Sequence, residues 1–168
     1  MTRELLIMRH CKSSWSDSGL PDIERPLNAR GKADAARMGR LLAQRRLLPT
    51  LTITSPAKRA RSTLKRIANA AEYRGDTQIS DALYESSPLS VLELVAAVAD
   101  DHQRVMIIGH NPTLEELVRL MTGSVVALPT GTIACLSLPI KHWPELTARL
   151  TGALQSVLSP ATQPDQDR

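Results

Sequence analysis

The chain alternates short apolar runs with longer stretches in which apolar residues recur at helical spacing. Leu5-Leu6-Ile7-Met8 is a continuous apolar run, the pattern of a strand buried on both faces. Leu51 to Thr54, Arg104 to Gly109 and Thr132 to Leu138 are further strand candidates, the last bounded by Gly131 and Pro139. A weaker edge strand falls near Thr77 to Ser80. Between the strands, Ser55-Pro56, Ser87-Pro88 and Asn111-Pro112 each set a capping side chain before a proline at the first helical position. Leu114, Leu117, Val118 and Met121 follow Asn111 as one apolar stripe, with Glu115, Glu116 and Arg119 opposite. Asn28 reads as the cap of a helix reaching about Leu47, and Pro144 as the opening of a last helix through Val157. Strand–helix alternation of this kind predicts an α/β fold: a three-layer α/β/α sandwich with a mainly parallel sheet and an antiparallel edge from the last strand.

Composition narrows the class. The length of 168 residues fits one domain, expected over 1–158, with the polar, proline-containing segment 159–168 as a disordered tail. The chain has no Phe, two Trp and two Tyr, which leaves almost no stacking platform for single-stranded nucleic acid; none is expected as a partner. A formal charge of +4 favours anionic ligands without naming one. Two cysteines, Cys11 and Cys135, make neither a disulfide framework nor a zinc set and fit a reducing compartment. The run Leu5 to Met8 is too short for a signal segment or a membrane span, so a cytoplasmic protein with no membrane partner is expected.

Ligands of such sheets bind outside the carboxyl ends of the strands. Those ends carry Arg9-His10, Ser55-Pro-Ala-Lys-Arg59 and Gly109-His110-Asn111, and the loop before the helix at Ser87 adds Tyr84-Glu85. Two histidines, two arginines and a carboxylate thus converge on one edge. Guanidinium forks match phosphoryl oxygens. A histidine kept neutral by positive surroundings can attack phosphorus and carry it covalently. A nearby carboxylic acid can protonate a leaving oxygen.

These residues resemble a known family. Arg9-His10-Cys11-Lys12-Ser13, with Ser55-Pro56, Arg59-Ala60 and Thr63, and Gly109-His110-Asn111-Pro112, is similar to the histidine phosphatase (phosphoglycerate-mutase-like) superfamily. Lys12-Ser13-Ser14 and Arg25-Pro26-Leu27 look most like its SixA-type phosphohistidine phosphatase branch, and the likeness spans roughly residues 3–122. The resemblance implies that His10 is the phosphorylated nucleophile, that Arg9 and Arg59 grip the phosphoryl group, and that His110 completes the pocket. It implies substrate contacts from Arg25, Ser13 and Asn111, and it places Glu85 where many members hold a general acid. It implies no metal and no cofactor. The substrate expected is phosphohistidine on a protein such as a histidine-transfer domain. A small phosphomonoester, or mere binding of a phosphorylated ligand, stands as the alternative. Cys11 departs from the family's small residue at that position, which would narrow the pocket or make it sensitive to oxidation.

Plainer readings stand beside these. Arg25 could simply pair with Asp22 or Glu24, and Glu85 could be a helix-start charge. In the basic run Lys58 to Arg66, Arg61, Lys65 and Arg66 read as a solvated helix face, with only Arg59 turned toward the strand ends. His102 and His142 match no motif and are expected at the surface, and the histidine spacing suggests no metal site. A cysteine-based phosphatase needs Cys, five residues, then Arg; counting from Cys11 lands on Asp17 instead.

Overall fold

The computed structural model describes residues 2–162. Six strands form one sheet: β1 (Arg3–Arg9), β2 (Leu51–Thr54), β3 (Asp76–Ile79), β4 (Arg104–Gly109), β5 (Ile133–Leu138) and β6 (Ala153–Leu158), in the order β3-β2-β4-β1-β5-β6. The first four in that order run parallel; β5 is antiparallel to β1 and β6 to β5. Helices α1 (Ala29–Gln44) and α2 (Lys58–Ala71) cover one face, and α3 (Pro88–Ala96) and α4 (Thr113–Thr122) cover the other.

The strand pleat explains the two cores. Successive side chains of β1 point to opposite faces. Leu5 and Ile7 join Ile53, Ile107, Val91 and Leu117 under α3 and α4. Leu6 and Met8 join Met106, Ile108, Met38 and Leu64 under α1 and α2. Register then sets the functional edge. Arg9 pairs with Gly109 across β1 and β4, and Thr54 with Ile108 across β2 and β4. The residues that follow, His10, Ser55 and His110, therefore emerge side by side. Gly31, in the first turn of α1, lets that helix pack against the loop after His10; a β-carbon there would overlap the Lys12 carbonyl oxygen.

Four expectations need correction. The segment from Pro144 to Val157 is not a helix. Trp143–Glu145 is one 3-10 turn, locked by the fully buried Trp143, whose Nε1 donates to the His102 carbonyl at 2.7 Å. The chain then returns as β6, because β5 would otherwise leave a row of backbone groups unpaired. Consequently β5 is antiparallel, as expected, but interior; β6 is the edge. Of the four proposed caps, Asn28 and Ser87 do accept from the backbone N–H of Gly31 and Ser90. Ser55 and Asn111 do not cap: α2 starts at Lys58 and α4 at Thr113, after a cis Asn111–Pro112 bond. Finally, the ordered chain continues past 158. Pro160 is buried and opens a 3-10 turn through Thr162, while the rest of the expected tail, 163–168, lies outside the described residues.

Candidate active site

His10 is the best-fixed side chain of the site. Its backbone N–H donates to the Gly109 carbonyl at 3.1 Å, and its carbonyl accepts from Gly131 at 3.0 Å. Its ring Nδ1 lies 2.7 Å from the Cys11 carbonyl oxygen, which can only accept, so Nδ1 carries the proton. Nε2 is left with a lone pair, and Arg59 Nε donates to it at 3.3 Å. Two independent partners thus select one tautomer. Burial pushes the His10 pKa down to about 3, and the nearby His110, Arg59 and Arg9 push it the same way. The ring is neutral, with the lone pair of Nε2 facing Arg59.

His110 stands beside it, with ring centroids 5.0 Å apart. Its Nδ1 lies 3.4 Å from Arg59 Nη2, a donor, and its Nε2 lies 2.7 Å from Ser55 Oγ. Nε2 therefore donates to Ser55, whose Oγ also accepts from the Ala57 N–H at 3.2 Å, one residue ahead of α2. Burial, then the Arg59 charge, holds the His110 pKa at about 4. Arg59 itself is buried in the first turn of α2, and its backbone carbonyl accepts from Thr63 Oγ1 at 2.8 Å. Thr63 Oγ1 in turn accepts from the Cys11 N–H at 3.0 Å, tying α2 to the loop that follows His10.

Arg9 is half-buried; its Nη1 donates to the Leu128 carbonyl at 3.2 Å, while its Nε is buried without a partner among the described residues. Asn111 Nδ2 donates to Leu128 O at 2.9 Å and Glu115 Oε1 at 3.0 Å, so it anchors the same loop that holds Arg9. Arg25 is buried, donates to the Ser13 hydroxyl, and lies under the exposed Trp15 ring with its guanidinium carbon 3.2 Å from the ring centre. Ser13 therefore orients Arg25.

Sequence reasoning gave Asp22 no place here beyond a pairing with Arg25, yet it joins the set together. Its carboxylate accepts from Arg25 at 3.0 Å, Arg59 at 3.0 Å and the Tyr84 hydroxyl at 2.8 Å. Burial alone would raise its pKa, but these donors outweigh that and hold it at about 2. The position three residues before Arg25 was the available signal. Tyr84, placed at this edge by the sequence but given no role there, meets His110 edge to face with ring centroids 5.5 Å apart.

Asp22, Arg59, Tyr84, Glu85, His110 and Asn111 help line an open cleft of about 490 Å³. Glu85 is exposed there and sits at φ 50°, a left-handed conformation that costs a glutamate on the order of 1 kcal/mol or more. Cys11 is fully buried in the core under α1 and α2, with its thiol pushed up to about 12 by burial. Its expected sensitivity to oxidation is therefore corrected: a buried, protonated thiol is inert. His142 is exposed and pairs with Asp100, and His102 packs beside Asp76 and Asp101. Among the described residues, no three His, Cys, Asp or Glu side chains are grouped to hold a metal ion, and no helix is long and apolar enough to cross a membrane.

Comparison with known proteins meets this geometry. Residues 5–103 match the model of the histidine phosphatase superfamily (branch 1). An uncharacterized chloroplastic protein of Arabidopsis thaliana is 30% identical over 157 residues, covering 88% of this chain and 72% of its own length. An uncharacterized protein of Mycobacterium tuberculosis is 31% identical over 150 residues, covering 83% of this chain and 91% of its own. The Agrobacterium tumefaciens structure assigned as the phosphohistidine phosphatase SixA superposes with a TM-score of 0.81 at 30% identity, over 94% of this chain and 98% of that one. Its counterpart from Nakamurella multipartitia gives 0.82 at 28%, over 95% and 97%. A neutral histidine among arginines at the strand ends, in a chain of this likeness, makes the protein a phosphatase of the histidine phosphatase superfamily, in its SixA-type branch.

Proposed function

We propose that the protein removes phosphoryl groups from phosphohistidine on a partner protein, such as a histidine-transfer domain, through a phosphohistidine intermediate on His10. The neutral Nε2 of His10 attacks phosphorus; the Nε2–P bond forms as the substrate N–P bond breaks. The departing imidazole keeps the electron pair and takes a proton from solvent. Water then attacks the phosphorus, the Nε2–P bond breaks, and orthophosphate leaves with His10 neutral again. Arg9 and Arg59 hold the phosphoryl oxygens, and His110 completes the pocket. Arg25, oriented by Ser13, serves substrate binding, and Asn111 acts by anchoring the Leu128 loop that holds Arg9. The steps use no metal or cofactor.

The observation that carries the protein substrate is the open cleft. His110 and Arg59 lie at its floor, and its rim is made of exposed residues such as Glu85, Ser87 and Pro112. A side chain presented on another protein can enter it. The two buried free thiols fit a reducing, cytoplasmic setting. One feature favours a second reading: the Glu85 carboxylate in the cleft is the group an alcohol leaving group would need, as in a small phosphomonoester.

A phosphorylated histidine-transfer domain and a chromogenic aryl phosphate, assayed in parallel with His10→Ala as control, decide between them. The expected result is a higher kcat/KM for the protein substrate, with both activities abolished in the variant. Far faster turnover of a small sugar phosphate or nucleotide would overturn the protein substrate.

A further inference from the structure

The basic run on α2 contributes only Arg59 to the catalytic cleft. Three of its other cations, Lys58, Lys65 and Arg66, lie together elsewhere. Lys58, Ser62, Lys65, Arg66 and Asn69 recur at helical spacing and share one side of α2. With Lys32 of α1, over a floor of Pro26 and Leu27, they line a concavity of about 390 Å³. Its lining holds four cations and no acid, and it shares no residue with the catalytic cleft.

Several cations elsewhere are paired with acids. Arg3 pairs with Asp100, Arg25 and Arg59 with Asp22, Arg30 and Arg37 with Asp34, and Arg104 with Glu4. Lys32, Lys58, Lys65 and Arg66 make no ion pair or hydrogen bond among the described residues. Like charges gathered in one concavity repel, so the cluster weakens the fold unless an anion joins it.

The shape selects the anion. Seven residues of helix rise about 10 Å, so Lys58 and the Lys65–Arg66 pair reach inward from opposite ends of the site. A single orthophosphate cannot meet both ends or balance four charges. Single-stranded nucleic acid would call for stacking surfaces, and among the described residues no aromatic side chain lines the concavity. We infer that this concavity is a second anion site, taking a compact polyanion that carries two or more phosphoryl groups. The site holds whatever the catalytic cleft turns over.

Calorimetric titration with tripolyphosphate in a His10→Ala background, which removes turnover, tests it. Two molecules are expected per chain, one at each site. The double substitution Lys65→Gln/Arg66→Gln should weaken one of them at least about tenfold, given the strength of charge-assisted contacts to phosphate. It should leave the thermal midpoint of the anion-free protein as high or higher, and aryl-phosphate hydrolysis by the chain with His10 intact unchanged. Arg45→Gln/Arg119→Gln removes the same charge from exposed positions elsewhere and should leave both sites intact. The inference is overturned by superimposable titrations of the parent and the Lys65/Arg66 variant, including a single binding event that the variant keeps, or by equal weakening in the Arg45/Arg119 control. Capture of a single-stranded oligonucleotide through Lys65 and Arg66, with no tripolyphosphate bound there, would overturn it in favour of a nucleic-acid surface.

Discussion

Asp22 brings an anion among the arginines expected to hold a phosphoryl group, and it fixes where their guanidinium groups point. It engages Arg25, Arg59 and Tyr84 at once, and Arg59 in turn engages both histidines. Only the pairing with Arg25 could be read from the residue pattern; the contacts to Arg59 and Tyr84 could not, because Asp22 stands on a 3-10 turn in an irregular loop, where neither helical nor strand periodicity assigns a direction. His10, His110, Arg9 and Arg59 were legible for the opposite reason: each follows an apolar run or opens a helix, so the topology dictates its edge. Glu85 lies between these cases. It reaches the cleft, but an exposed side chain with left-handed backbone has no sequence signature. Its proposed role as an acid is separable by leaving group. Glu85→Gln should slow hydrolysis of an alkyl phosphate by about 10²-fold or more, the usual scale for a general acid. It should barely change turnover of phosphohistidine, whose nitrogen leaving group needs little acid help. Equal effects on both substrates would show that Glu85 acts by position or charge alone.

At the scale of elements, the four Asn- and Ser-based helix starts serve different ends. Asn28 and Ser87 accept from the backbone of α1 and α3, Ser55 accepts from both His110 and the Ala57 N–H ahead of α2, and Asn111 is turned to the Leu128 loop. A side chain at a strand end can serve a helix or the site, and sequence alone does not choose. Asn28→Ala and Ser87→Ala should therefore each cost about 1 kcal/mol in urea denaturation with little effect on kcat. A loss below a few tenths of that in both would refute their role as caps. The strand β6 was misread because Leu146, Leu150 and Leu154 fall at helical spacing, while the demand it meets, covering the free side of β5, is visible only once the sheet is assembled. The central parallel strands β1 and β4 were legible because runs buried on both faces are continuous in sequence.

For the whole molecule, two histidines held neutral in the folded state couple stability to pH. In the unfolded chain both titrate near 6.5; folded, His10 titrates near 3 and His110 near 4. Above 6.5 neither state is protonated and the stability is complete. As pH falls from 6.5 toward 3, the unfolded chain takes up protons that the folded chain refuses, and stability is lost. The urea midpoint should therefore drop more between about pH 7.5 and pH 5 in the wild type than in His10→Gln, because the variant removes one of the two sites. Parallel slopes would show that His10 is not held neutral by the fold. The same neutrality underlies the catalytic proposal, in which His10 Nε2 carries the phosphoryl group. The most direct test is to quench the protein in alkali during turnover of an aryl phosphate and map phosphorylated peptides by mass spectrometry. The account predicts an alkali-stable, acid-labile phosphoryl group on His10, absent from His10→Ala. Steady turnover with no phosphoryl group on His10, or one on another residue, would contradict it.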